Sequence, residues 1–184
     1  MPQHRHHRAL ARLLTLALAL ALPTLTVADD HRSHGAHAHG LARLDLAVDG
    51  GAVLIGLESP AANVVGFEHA PVNPRERAAL EAALATLKDG GRLFRLPADA
   101  GCRLVEAVVE TPLAAKAGEA THASDHADIE AEYRFECAEP GRLVQMQLGL
   151  FEAFPETRRL QVQFVGPRGQ GAGELTAANP VLRF

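Results

Sequence analysis

Ten histidines occur in this 184-residue chain, and four of them, His31, His34, His37 and His39, fall within nine positions. A neutral imidazole nitrogen is available near pH 7 and binds Zn, Cu and Ni well, so a cluster of this density points first to metal chemistry. His37 and His39 open what reads as the first strand of the fold. In a strand, residues i and i+2 share a face roughly 6 to 7 Å apart, close enough for two rings to hold one ion. A second group, His122, Asp125, His126 and Asp128, repeats the i, i+2 spacing at His126 and Asp128, and His69 stands alone between the two groups. If the two groups lie close in the fold, His37 and His39 with His122 or His126, completed by Asp125 or Asp128, supply the N and O donors of a tetrahedral zinc site. Competing readings are a His-rich leader that binds nothing specific, a polar loop at His122 and His126, and a hydrogen-bonded loop histidine at His69.

The segments that carry these residues begin with an export signal. Arg5, Arg8 and Arg12 precede the apolar run from Leu13 to Leu22, and Thr26-Val27-Ala28 places small residues where a signal peptidase reads them. Residues 1–28 are therefore expected to be removed, leaving a His-rich leader at 29–36 and one α+β domain over 37–184. An apolar run of about ten residues is too short for a permanent anchor across roughly 30 Å of hydrocarbon. Cleavage after Ala28 gives a mature start of Asp29-Asp30-His31, in which the amine, two amides and the His31 ring can wrap Cu(II) or Ni(II) in a square plane.

Losing residues 1–28 takes away three Arg and no acid, so the formal charge moves from −4 to −7. A mildly acidic product argues against nucleic acid as a partner, because phosphate recognition needs clustered Lys and Arg. Cys102 and Cys137 are the two cysteines, and an even count in an oxidising compartment favours a disulfide over a thiolate metal pair.

Alternation organises most of the rest. Leu44, Leu46 and Val48 share one face, with His37, His39, Arg43 and Asp45 on the other, and Asp49-Gly50-Gly51 turns the chain into a return strand from Val53 to Glu58. The segment from Ala61 to Pro71 reads as an apolar, turn-rich connection containing His69. Asn73-Pro74-Arg75-Glu76 is a helix start, and Leu80, Leu84 and Leu87 give that helix, about 74–89, an apolar stripe before Gly90-Gly91. Phe94 and Leu96 suggest a short extended piece. Strands are expected over 103–110 and 128–137, with the cysteines tying them as antiparallel neighbours, then over 144–150 and 160–164. Weaker strands follow Gly166-Pro167-Arg168-Gly169 and Asn179-Pro180, with a short helix or turn within 151–159. Seven or eight strands, mainly antiparallel, with one amphipathic helix make an α+β fold.

Catalytic motifs are lacking: the chain has no H-E-x-x-H, no G-x-S-x-G, and no Gly-rich phosphate loop before a helix. It does resemble the zinc-regulated, ZrgA-like family of bacterial periplasmic proteins. The resemblance rests on H-G-A-H-A-H-G at 34–40, S-P-A-A-N-V-V-G-F-E-H-A-P at 59–71, H-A-D-I-E-A-E-Y-R-F-E-C at 126–137, L-F-E-A-F-P at 150–155 and G-Q-G-A-G-E-L-T at 169–176. It implies a periplasmic protein that assists zinc acquisition, with ligands drawn from His34, His37 and His39, from His69, and from His126 and Asp128. Members of this kind often carry a long His/Asp tract before the third motif. Here residues 117–125 offer only His122 and Asp125, which implies a single structured site rather than high-capacity buffering.

The expectation is a non-catalytic periplasmic protein that binds Zn(II) and passes it toward an envelope uptake system. Copper or nickel at His31 is the alternative metal. A metal-dependent hydrolase built on the same histidines, or an envelope interaction module, is the alternative function.

Overall fold

Apolar residues at every second position dictate a sheet with one buried face, and the computed structural model, which describes residues 39–114 and 127–183, has one. β1 (Leu41–Asp49) and β2 (Ala52–Pro60) form a hairpin, and β5 (Asp128–Cys137) pairs antiparallel with β2. β4 (Cys102–Glu110) lies outside β5, interrupted by a bulge between Leu104 and Glu106. On the other flank β7 (Arg159–Gly166) runs parallel to β1 and carries β8 (Gly169–Thr176) as its hairpin partner. The resulting six-stranded sheet has the order β4-β5-β2-β1-β7-β8. A second, three-stranded antiparallel sheet joins β3 (Phe94–Arg95), β6 (Gln145–Leu148) and β9 (Val181–Arg183).

The inner face of the large sheet supplies Leu44, Leu46, Val53, Ile55, Leu57, Ile129, Tyr133, Phe135, Leu160 and Val162, all buried. Helix α2 (Pro74–Lys88) contributes Leu80, Ala83 and Leu87 to the same core. Its start is the one expected: the Asn73 side chain accepts from the Glu76 amide at 3.0 Å, while Glu76 accepts from Asn73 Nδ2 and from the Val72 amide, both at 2.8 Å. Tyr133 fastens sheet to helix by donating its hydroxyl to the Leu87 carbonyl at 2.8 Å, and its ring meets Phe94 edge-on at 4.9 Å. Burial pushes the Tyr133 phenol well above its ordinary range, so it remains a neutral donor.

Several elements depart from expectation. Gly90-Gly91 does not end the helical path, which resumes as α3 (Gly90–Leu93); a Cβ at Gly90 would sit 2.5 Å from the Tyr133 ring, so the glycine makes room for that ring. The connection after β2 contains a short helix, α1 (Ala61–Val65), and α4 (Leu150–Ala153) follows β6. Nine strands occur among the described residues, in two sheets, and β1–β7 is a parallel pair, though the fold is α+β and mostly antiparallel as expected.

β1 also begins later than the alternation suggested. Residues 39 and 40 form a turn, with Gly40 at φ +84°, so His39 is held by a turn and not by a strand. Glycine adopts that backbone without the Cβ penalty. The expected bidentate strand pair at His37 and His39 is corrected to that extent, and His37 lies outside the described residues. So do residues 1–36, with the export signal and leader, and 115–126. Among the described residues no helix is long and apolar enough to cross a membrane.

Cys102 and Cys137 are bonded to each other and occupy directly opposed positions of β4 and β5. The bridge ties an edge strand to the interior of the sheet. Arg103 and Glu136 pair beside it.

Candidate metal centre

Helix α1 is only five residues long, yet it gathers one end of the large sheet. Buried Asn63 accepts from the Gly40 amide at 2.7 Å through Oδ1 and donates through Nδ2 to the Leu41 carbonyl at 3.0 Å and to Ser59 Oγ at 3.3 Å. At the helix start, the Ala61 amide donates to the Ala127 carbonyl at 2.8 Å. The turn bearing His39 and the strand start at Ala127 and Asp128 are thus tethered to the same helix. Asp128 opens β5 opposite Pro60, and its carbonyl accepts from Thr111 Oγ1 at 2.9 Å.

The chain leaves α1 through Gly66 in the left-handed conformation and comes back past the His39 turn. Glu68 is turned inward there, its side chain 12 % exposed, and its Oε1 lies 3.5 Å from His39 Nε2. The His39 ring is 70 % exposed, so one donor is fixed in protein while the other faces solvent. Two ligands bonded at 2.0 to 2.2 Å to a tetrahedral zinc stand about 3.3 to 3.6 Å apart. The His39–Glu68 pair already has that spacing, and imidazole with carboxylate is a zinc-compatible donor set.

His69, next in the chain, turns elsewhere. Its ring stacks on Phe67 at 5.2 Å, and Nδ1 lies 3.1 Å from the Ala70 carbonyl and 4.0 Å from Glu76 Oε2. Glu76 is engaged in capping α2, so this second pair is a loop contact of a half-exposed ring. His34, His37, His122, Asp125 and His126 lie outside the described residues, as does His31. Among the described residues no group of three or more His, Cys, Asp or Glu is placed to hold a metal ion. The candidate among the described residues is therefore a pair, His39 with Glu68, at the end of the sheet where Asp128 opens β5. Sequence does not single out Glu68; its signal is the one acid between Glu58 and Glu76, next to His69.

The described residues thus form an α+β domain in which an imidazole and a carboxylate meet at one end of the large sheet. Residues 36–184 match the family described as ZrgA family zinc uptake protein, and the chain belongs to that family. No curated protein matches the chain.

Proposed function

We propose that this protein works in the periplasm without catalysing a reaction, capturing Zn(II) at the α1 end of the sheet and releasing it to an envelope uptake system. The observation that carries this reading is the 3.5 Å separation of His39 Nε2 and Glu68 Oε1, which suits two ligands of one tetrahedral ion. His126 is bonded to Ala127, itself hydrogen-bonded to α1, and His37 is two residues from His39; both are proposed as further ligands, with Asp128 or His122 completing the shell. His34 and His69 serve at most as entry ligands. The exposure of His39 supports exchange of the ion over permanent retention.

Calorimetric titration of the exported protein tests this. At pH 7.5 one zinc ion per chain binds with submicromolar affinity. His39→Ala and Glu68→Gln each weaken binding at least tenfold, about 1.4 kcal/mol or more, while His69→Ala changes it less than threefold. Imidazole must be deprotonated to bind, so affinity is full at the alkaline end and is lost as protons compete on going from pH 7.5 to 5.5. Binding unchanged in the His39 and Glu68 variants, or as tight at pH 5.5 as at 7.5, contradicts the reading.

A further inference from the structure

The outer face of the six-stranded sheet holds a shallow groove of about 880 Å³, away from the α1 end. Three aliphatic side chains that a solvated face does not need, Leu54, Val108 and Val165, are 43 %, 40 % and 51 % exposed there. Gly56, in the middle of strand β2, is among the residues that line the groove. Glycine inside a strand forfeits packing and backbone entropy, and it marks a bulge or a close approach of another chain. Gly51, Gly90 and Gly149 are explained by atoms that a Cβ would meet within 3 Å. Gly56 is not: it pairs regularly with Asp45 and Glu132, its φ is not positive, and the nearest atom to an added Cβ is Asp45 Cβ at 4.0 Å. The hollow is open, and the fold does not require it.

Charge selects what fills it. Asp45 and Glu132 flank Gly56 on the two neighbouring strands, and Glu106 stands one row away opposite Arg134, the one cation among the groove residues. Among the described residues no Lys, Arg or His lies within ion-pairing distance of Asp45, Glu106 or Glu132, whereas Arg43–Glu58 and Arg103–Glu136 are paired at the margins. A second copy would bring like charges together on this face, and an anionic membrane or nucleic acid would be repelled.

We propose that the groove is a docking site for an extended cationic segment of a partner protein, with an apolar side chain over Gly56 and Lys or Arg side chains against Asp45, Glu106 and Glu132. Apolar contact supplies the anchor and opposite charge supplies selectivity and speed of encounter. This inference is independent of the zinc reading.

An acetylated seven-residue peptide alternating lysine and valine serves as the probe, followed by amide NMR shifts of the full exported protein. Shifts are expected on the outer-face residues around Gly56, with none from a peptide that has glutamate in place of lysine. Gly56→Val fills the hollow with a residue that strands favour; it keeps or raises Tm and weakens the probe at least tenfold. The Glu106→Gln, Glu132→Gln double variant weakens it about fivefold and flattens its salt dependence, which keeps the test valid if Gly56→Val does not fold. His39→Ala leaves probe binding unchanged, so a failed zinc site and a failed groove are told apart. No detectable probe binding, shifts scattered over other faces, or full affinity in Gly56→Val and in the double variant would overturn the proposal.

Discussion

Removing the Cys102–Cys137 bridge by a double Cys→Ala substitution is expected to lower stability by about 4 kcal/mol. The two residues are 35 apart in sequence, and in the chain-entropy treatment a loop of that length is restricted by about this amount in the unfolded state. For a domain of this size that is a fall in Tm of roughly 8 to 16 °C. The loss is expected to concentrate at β4, an edge strand paired only with β5 among the described residues, and amide exchange there accelerates first. Zinc affinity is expected to stay within threefold, because Cys137 ends β5 while Asp128 begins it, about 30 Å away along the strand. A Tm shift below 2 °C would show that the bridge closes a segment already ordered without it.

The second large effect is at Asn63. Alanine there removes the acceptor of the Gly40 amide and the donor to the Leu41 carbonyl in a buried setting. With the bond to Ser59 Oγ also gone, three hydrogen bonds are lost and a buried amide is left without its acceptor, at a cost of about 2 to 4 kcal/mol. Unlike the disulfide variant, Asn63→Ala also releases the turn that carries His39, and zinc binding should weaken at least tenfold. Thermal melts and zinc titrations of both variants therefore give opposite patterns: comparable instability, with affinity kept in one and lost in the other. Loss of affinity in both would mean that zinc binding follows global stability and not the α1 tether.

Much of the fold could be read from local pattern. Alternation of Ile129, Ala131, Tyr133 and Phe135 marked a half-buried strand, Asn73 to Glu76 marked a helix start by its capping chemistry, and the cysteines at the ends of two such runs marked neighbours. The parallel pairing of β1 with β7 left no local trace, because the partners are distant in sequence and neither turn nor period links them. The three-stranded sheet was hidden for a similar reason, since its members are two to four residues long. At the candidate centre His39 and Asp128 were visible by residue type. What joins their segments was not: α1 has five residues, too few to show a helical period, and Asn63 acts through bonds to backbone atoms that only folding brings together. Glu68 passed unnoticed because a single carboxylate beside His69 acquires its meaning from the His39 turn.

One zinc ion is proposed to be shared by His39 and Glu68 at the α1 end of the sheet. A crystal of the exported protein grown with one equivalent of zinc, measured on both sides of the zinc absorption edge, tests it most directly. The expected result is an anomalous peak about 2.0 to 2.2 Å from both His39 Nε2 and Glu68 Oε1. A fully occupied zinc bound elsewhere on the chain, with His39 and Glu68 unliganded, would contradict it.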